Sequence, residues 1–523
     1  MEAIQTEVLV IGGGATGLGV VRDAALRGYD TVLLERVDLG QGTTGRFHGL
    51  LHSGGRYVTR DVEAGKECAL ERDVLSRIVP DAIEETGGFF VTTPVDDPDY
   101  ADAFVRGCVD AGVWVEEIEP ALAIAEEPRL NPRISRAFRV KDGAVDAWKL
   151  LWANARSAQQ HGARILTYHW VTSILREDDA VTGVIARNDL TGEEVRIDAA
   201  FTINASGAWA GEIATMAGAD GVTVVPGKGI MIAMNHRLVN TVINRCDPPG
   251  DGDILVPVRT VSVIGTTDTE ARNPDELEIT HDEVQRMLDA GEVLVPGFRN
   301  TRALHVWAGA RPLFKDERAD QSLDTRHMSR GMALVDHERR DGLRRFLTIT
   351  GGKFTTYRLM AEVVVNAMCE QLGDDRPCTT ATTPMPVSAE DGATRVGARL
   401  ARRERNLHDE KVVCECELVT RGLMVQEIDR KPLGNLDDLR RVLRLGMGPC
   451  QGGYCAHRAT ALVHERTDVS AGRAHELLHR FYDYRWLGLK PILYGDQVRQ
   501  AVLDEWIING TLDLEHLPRE VSR

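Results

Sequence analysis

The first strong pattern along the chain is an unbroken apolar run, Val8-Leu9-Val10-Ile11. A run without polar alternation is what a strand buried on both faces requires, as in a parallel sheet. Residues 7–11 are therefore predicted as a strand. The six residues before it leave no room for a secretory signal. A helix follows over roughly 15–27, and Gly28 stands just past its end as a stop. Thr31-Val32-Leu33-Leu34 predicts a second strand that closes on Glu35. The same design recurs later. Thr202-Ile203-Asn204 leads into the small-residue turn Ala205-Ser206-Gly207, and Phe346-Leu347-Thr348-Ile349 leads into Gly351-Gly352, with a helix from about 355. Beyond Cys455 the chain reads as helical. Trp486 and Trp506 stand there in an otherwise polar stretch and are expected in a core, the alternative being a docking face for a partner protein. No apolar run approaches the ~20 residues needed to span a bilayer as a helix. There is no internal repeat.

Between the first strand and the first helix lies Gly12-Gly13-Gly14-Ala15-Thr16-Gly17, which fits G-x-G-x-x-G. Gly12 makes the tight turn, Gly14 lets a pyrophosphate approach backbone at the helix N-terminus, and Gly17 lets helix and strand pack closely. Glu35 follows 18 residues after Gly17, where a carboxylate accepts bonds from ribose hydroxyls. Strand, glycine turn, helix, second strand and acid in this order mark a dinucleotide site. The motif alone does not separate FAD from NAD. The two later strand–glycine turns favour FAD, because small residues let backbone lie against a flat cofactor. The helix start near 355 would stabilise the anionic side of a reduced flavin.

Charge narrows the partners. The 523 residues carry 62 Lys and Arg against 79 Asp and Glu, a net charge of −17. That excess argues against a nucleic-acid partner. It leaves room for an anionic substrate in a local basic pocket. Only nine of the basic residues are Lys, which points to a GC-rich genome, with salt adaptation as the alternative. The absence of a secretory segment implies a cytoplasmic protein, so the nine Cys are read as thiols, metal ligands or redox groups rather than as disulfides. Cys414-x-Cys416 and Cys450-x4-Cys455, separated by 33 residues, form two close pairs. Four such thiolates fit a 2Fe–2S cluster, with a structural zinc or an empty site as alternatives. Cys68, Cys108, Cys246, Cys369 and Cys378 lack such pairing and are read as core or surface thiols.

Several longer segments resemble one family. Residues 38–57, Asp-Leu-Gly-Gln-Gly-Thr-Thr-Gly-Arg-Phe-His-Gly-Leu-Leu-His-Ser-Gly-Gly-Arg-Tyr, are similar to the flavin-side loop of FAD-dependent glycerol-3-phosphate dehydrogenases. So are Ile264-Gly265-Thr266-Thr267-Asp268, Ala308-Gly309-Ala310-Arg311-Pro312-Leu313, Ser329-Arg330 and the run from Gly351 to Arg358. Val413-Cys414-Glu415-Cys416-Glu417 and Gly446-Met447-Gly448-Pro449-Cys450-Gln451-Gly452 extend the resemblance to the anaerobic branch, at its A subunits, and the cysteine segment is similar to bacterioferritin-associated-ferredoxin-like domains that carry 2Fe–2S. The resemblance implies an α/β, glutathione-reductase-like FAD fold with a mixed-sheet substrate domain. It implies oxidation of sn-glycerol 3-phosphate to dihydroxyacetone phosphate. Its implied partners are a second flavoprotein and a membrane-anchoring iron–sulfur subunit that feeds quinone. The chain itself would then sit peripherally on the inner face of the cell membrane.

Carried onto this chain, the resemblance places Ala15, Thr16, Arg36, Thr43, Thr44, Arg46, Gly49, Leu50, His52, Val171, Ala205, Ser206, Gly207, Trp209, Gly352, Lys353, Phe354 and Thr355 against FAD beside the glycine motif and Glu35. It places Arg56, Tyr57, Arg311, Arg330 and Lys353 against substrate. Arg suits bidentate phosphate contacts and Lys a point charge. Aerobic relatives carry a histidine shortly after the Lys-Gly that resembles Lys228-Gly229. Here Ile230-Met231 stand there, so that assignment does not transfer, and His52 is the candidate base, acting with Lys353 and Arg311 in catalysis.

The expected organisation is an FAD-dependent core over 1–378, with an FAD domain of about 1–75, 141–225 and 330–378 and a substrate domain of about 76–140 and 226–329. A linker over 379–410, a 2Fe–2S-type module over 411–460 and a helical region over 461–523 follow. Two rival readings remain at this point. One is a flavin dehydrogenase or oxidase of another small hydroxy or amino substrate. The other is a non-catalytic electron-relay protein.

Overall fold

The computed structural model describes residues 2–316, 331–386, 400, 401, 404, 411–430, 433–495 and 497–518. The apolar run after Thr6 forms the middle of a strand, Glu2–Ile11, whose Val8, Leu9 and Val10 are fully buried. It starts earlier than the apolar pattern predicts, because its first residues still find ladder partners at Val195 to Ala199. The strand lies parallel to Glu194–Asn204 on one side and to Thr31–Leu34 on the other. Phe346–Gly351 adds in parallel beyond Glu194–Asn204. Ile11 stands opposite Asn204, and Asn204 opposite Thr348. The three strand–glycine turns noted in the sequence thus emerge side by side at the carboxyl edge of one sheet, where open α/β sheets bind ligands.

The helix Ala15–Leu26 packs against Tyr357–Leu372. Gly19 makes that contact close, since a Cβ there would sit 3.0 Å from the Tyr357 ring. Both helices share one core with the first strand through Val10, Leu18, Val21, Tyr357 and Val364.

The second sheet is mixed, as expected. Its spine is the long strand Val222–Met234, antiparallel to Ala303–Asp316 and to Val261–Gly265. The ladder continues through Ile254–Val258, Val242–Arg245, Gly88–Thr92, Arg136–Val140 and Val115–Ile118, with one parallel pair between Val242–Arg245 and Gly88–Thr92. The helix His281–Leu294 covers one face through Val284, Met287 and Leu288. It is capped by the reciprocal Thr280–Glu283 bonds of a capping box.

The cysteine region opens on the hairpin of Val412–Cys414 and Val419–Thr420, followed by Arg421–Ile428, Leu436–Leu443 and Ala456–Arg466. Leu477, Leu478 and Phe481 of the helix Ala471–Leu489 share its core with Val413, Met424 and Val463. Of the segment after the last core helix, Met385 packs into the flavin-domain core, and Arg22 donates to the carbonyls of Thr380 and Thr383. Trp486 and Trp506 do not enter a core. They are 48% and 72% exposed; on the helix Ala471–Leu489, which carries Trp486, the inward face is already filled by Leu477, Leu478, Phe481 and Tyr482. The helix Gln497–Leu512 buries none of its residues fully.

Buried charges fasten this module to the core. Arg441 donates to Asp38, two residues beyond the Glu35–Arg36 pair, and to Asp438, which also accepts from Tyr168. Arg259 of the substrate sheet bridges Asp146 and Glu417, and Arg444 meets the same Glu417. Removing one partner leaves the others desolvated and uncompensated. Arg441→Leu is therefore expected to cost about 3–5 kcal/mol and to loosen the module from the core. A lower denaturation midpoint with new protease cleavage between the core and the cysteine hairpin checks this. An unchanged midpoint and cleavage pattern would make the network a surface ornament.

Candidate functional site

A cavity of about 960 Å³ opens along the carboxyl edge of the first sheet and runs under the second. Its dinucleotide end is built by close approach of backbone. Gly12 takes φ +111°, and a Cβ there would come 2.6 Å from the Ala205 carbonyl oxygen. A Cβ on Gly17 would meet the Gly12 oxygen at 1.8 Å, so only glycine lets the helix start against the turn. Gly12, Gly14, Ala15, Thr16, Glu35, Arg36, Val171, Ala205, Ser206, Gly207 and Trp209 all line the cavity. The Glu35 carboxylate accepts from the Gly13 and Val37 amides at 2.7 and 3.0 Å. Burial pushes its carboxyl above the usual range while these amides hold it down. Thr44 Oγ1 accepts from the Ala15 amide at 3.0 Å, tying the flavin-side loop to the helix start.

Across the mouth of this end, Asp275, in the segment before the helix His281–Leu294, receives Arg36 at 2.5 Å and the Trp209 indole N–H at 2.9 Å. The Arg36 guanidinium stacks on Trp209 at 4.2 Å. Asp275→Ala is expected to accelerate loss of a bound dinucleotide several-fold, because both cofactor-lining side chains lose their common anchor. The rise of flavin fluorescence after dilution measures it, and an unchanged release rate would deny the anchor.

The other end gathers cations and imidazoles. Arg46, Leu50, His52, Arg56, Tyr57, Arg311, Gly352, Lys353 and Phe354 line it together with Thr43 and Thr44. Lys353 Nζ is buried with no hydrogen-bond partner among the described residues, 5.1 Å over the Tyr57 ring. Arg311 is held by Asp268, Thr266 Oγ1 and the Thr267 carbonyl, and it lies against Gly229, where a Cβ would come 2.7 Å from Nη2. Arg56 pairs with Asp253 at 2.6 Å, and although burial opposes it, that partner raises its pKa. The His52 ring stands 5.3 Å from Tyr57, and its amide donates to Thr355 Oγ1. Burial, then His48, Arg56 and Lys353, hold His52 well below an ordinary imidazole pKa, so it is neutral and able to accept a proton.

Gly17, Gly49 and Thr355 stand behind the lining rather than in it. Gly17 serves packing, Gly49 a turn at φ +85°, and Thr355 the His52 amide. Arg330 lies outside the described residues. Sequence reasoning gave no role to His48, Met231, Asp268 or Asp275. Asp268 lies inside a quoted motif and was findable as the anion that orients Arg311. His48 also lies inside a family-like segment and Met231 in the stretch compared with aerobic relatives, whereas Asp275 comes from a loop whose meeting with Arg36 and Trp209 no local spacing announces.

The four paired cysteines also meet. The Cys414 thiol neighbours that of Cys455, Cys455 neighbours Cys450, and Cys450 neighbours Cys416, all four free. Backbone amides of Gly446 and Glu417 donate to Cys414, and those of Gly452 and Tyr454 to Cys450. A Cβ on Gly448 would strike Cys416 at 2.3 Å, so the loop presses closely on the thiols. Soft sulfur donors with amide bonds to sulfur are the environment an iron–sulfur cluster takes. The other five cysteines are not part of it: four are buried and Cys378 is partly buried.

Residues 7–366 match the family described as FAD dependent oxidoreductase, and residues 412–465 match the BFD-like 2Fe-2S binding domain. The chain is 42% identical to the A subunit of the anaerobic glycerol-3-phosphate dehydrogenase of Escherichia coli (strain K12), over 98% of both chains. The chain belongs to that family of flavoproteins. It is also 40% identical to the A1 subunit of the anaerobic glycerol-3-phosphate dehydrogenase of Haloferax volcanii, over 98% of this chain and 91% of that one. Among solved structures, the glycerol-3-phosphate dehydrogenase from Bacillus halodurans complexed with FAD is similar in fold. Its TM-score is 0.66 at 22% identity, with 94% of this chain and 96% of that one covered. The residues found here fit the family's cofactors: glycine backbone and Glu35 at one end of the cavity for FAD, and four convergent thiols for 2Fe–2S.

Proposed function

We propose that the chain oxidises sn-glycerol 3-phosphate to dihydroxyacetone phosphate. The observation that carries the reading is the buried Lys353 ammonium. An isolated buried charge is costly, and a bound anion in the same cavity would compensate it. Bound FAD supplies the hydride acceptor. The residues of the chain supply the rest. Lys353, Arg311 and Arg56 hold the phosphate end, with Arg330 as a further cation, so that binding energy remote from the reacting carbon serves positioning. Tyr57 orients the substrate, and His52 takes the hydroxyl proton. The amides of the glycine turn and the Glu35 carboxylate hold the dinucleotide, and Cys414, Cys416, Cys450 and Cys455 hold the cluster. In this reading the FAD domain comprises about 1–75, 141–225 and 330–378, the substrate domain about 76–140 and 226–329, and 379–410 links them to the cysteine module.

Electrons then leave towards quinone through partner proteins, a second flavoprotein and a membrane-anchoring iron–sulfur protein. The relatives are named as one lettered component of an enzyme, which supports such an assembly, as does the lack of any membrane-crossing helix among the described residues. Attachment to the inner face of the membrane would come through those partners.

Anaerobic titration of the purified flavoprotein with glycerol 3-phosphate tests the reading. Stoichiometric bleaching of the flavin with formation of dihydroxyacetone phosphate is expected. A flavin that stays oxidised would leave the relay reading in its place, and bleaching by a neutral polyol or an amino acid instead would favour another substrate. The pH dependence follows from His52. Its pKa is depressed, so the accepting form is already present at neutral pH and is lost only on acidification. Bleaching at saturating substrate is expected to hold steady from about pH 7 to 9. A steep climb across this window would place the accepting group elsewhere.

A further inference from the structure

His48 lines the same cavity as His52, Arg311 and Lys353 and is only 8% exposed. Its tautomer is fixed by a local bond. The Leu50 amide donates to His48 Nδ1 at 3.2 Å. An N–H can bond only to a ring nitrogen that carries a lone pair, so the proton of the neutral ring sits on Nε2. The loop is shaped for this. Gly49 takes φ +85°, which folds the Leu50 amide back onto the preceding side chain. The ring is also wedged in place. At Gly265 a Cβ would come 3.0 Å from His48 Cδ2 and 3.3 Å from Met231 Cγ, so the strand carries glycine where the imidazole packs. Met231 and Gly265 are register partners on neighbouring strands, and neither offers a polar group. An imidazole is thus delivered from the flavin-side loop to a strand pair that has none of its own there.

Burial, together with Arg56 and Arg311, pushes His48 down to about 3, so it stays neutral at working pH. Nε2 is neither sealed in the protein nor bonded among the described residues. The His48 and His52 rings meet edge-on with centroids 6.1 Å apart. One oxygen between them could bond both, since each such hydrogen bond is about 2.8–3.0 Å long.

We propose that His48 contacts substrate as a fixed hydrogen-bond donor, its Nε2–H holding the reacting hydroxyl oxygen while His52 accepts the proton from that oxygen. The inference rests on the glycerol 3-phosphate reading. The balance is simple. The O–H bond breaks and its proton goes to His52, the carbinol hydrogen leaves as hydride to FAD, and the C=O bond forms. As the proton leaves, charge builds on the oxygen, and a donor already aimed at it favours that stage over the bound ground state. Two neutral imidazoles in one site then have distinct work: one cannot accept at the atom it presents, and the other has no ring bond among the described residues that commits it to donate.

The test is a pair of variants read by stopped-flow bleaching, with flavin content measured on each. His48→Leu removes the donor and is expected to slow bleaching by about 100-fold, the size seen when one preorganised donor is lost. The same factor should appear at every pH, because no titrating group has been removed. His48→Gln, whose amide nitrogen can reach the place of Nε2, is expected to recover at least a tenth of the rate. Equilibrium binding of dihydroxyacetone phosphate, read from the flavin spectrum, should weaken far less than the rate in His48→Leu. Wild-type rates in His48→Leu would overturn the proposal. So would a change in the shape of the pH profile between that variant and the parent, which would make His48 a titrating group. Should His48→Leu fail to retain flavin, His48→Asn replaces it. Its amide stops short of Nε2, so a slow Asn variant beside a fast Gln variant supports the donor, and equal rates deny it. A wild-type protein that glycerol 3-phosphate does not bleach would instead count against the substrate reading itself.

Discussion

Lys353→Met is expected to lower kcat/KM for glycerol 3-phosphate by about two to three orders of magnitude while the flavin stays bound. The substitution keeps most of the side-chain volume and removes only the charge. In the free site Lys353 Nζ is buried without a hydrogen-bond partner among the described residues, 5.1 Å over the Tyr57 ring. Glu67 lies near enough to feel the ammonium, which opposes the upward push of burial on its carboxyl, but no ion pair joins the two among the described residues. A phosphate or an alkoxide brought beside Lys353 would therefore gain a charge-assisted bond that no described residue already occupies. Arg311 differs. Its guanidinium is already oriented by Asp268 and Thr266, and it meets substrate as a preset fork. Arg311→Met is expected to act in the same direction, with a larger share in KM. Flavin absorbance establishes loading, and steady-state rates with an artificial acceptor give the constants. Loaded Lys353→Met protein with wild-type kcat/KM would remove Lys353 from the site.

How much of this was legible in the sequence depends on the range over which a residue acts. The glycine turn and Glu35 were legible because their partners lie within one strand–helix–strand unit, and each spacing has a steric cause: Gly17 against the Gly12 oxygen, Gly12 against Ala205. The convergence of 12–17, 205–207 and 351–353 was legible only as three similar designs. Parallel pairing of their strands makes it physical. The cation cluster was legible through long motifs, not through charge, since an Arg-rich chain gives no contrast. His48 was passed over because a histidine in a glycine-rich loop carries no signal until Leu50 and Gly265 are seen to fix it. Asp275 acts across domains, and no local pattern announces that. Trp486 and Trp506 failed in the other direction. A large aromatic in a polar helix suggests a core, but the inward positions were already taken by Leu477, Leu478 and Phe481.

The second large effect concerns the thiols. Replacing Cys450 and Cys455 together by Ser is expected to abolish iron incorporation and the low-temperature EPR signal that dithionite produces in the parent protein. Cys450 neighbours Cys416 and Cys455 neighbours Cys414, so their loss leaves only one of the two close pairs of thiols. Serine offers a harder oxygen that stays protonated near neutral pH, and it does not replace thiolate toward iron. The flavin site should not notice. The module is fastened to the core by Arg441 with Asp38 and by Arg259 with Glu417, ion pairs in which neither cysteine takes part. Bleaching of the flavin by glycerol 3-phosphate should therefore proceed at the parent rate, while reduction of quinone by the assembled complex stops. Metal analysis of protein purified without oxygen decides the matter. Two irons per chain, absent from the double variant, are the expected result. Stoichiometric zinc without iron in the parent protein would make the four cysteines a structural clasp, and the electrons would then have to leave from the flavin cavity directly.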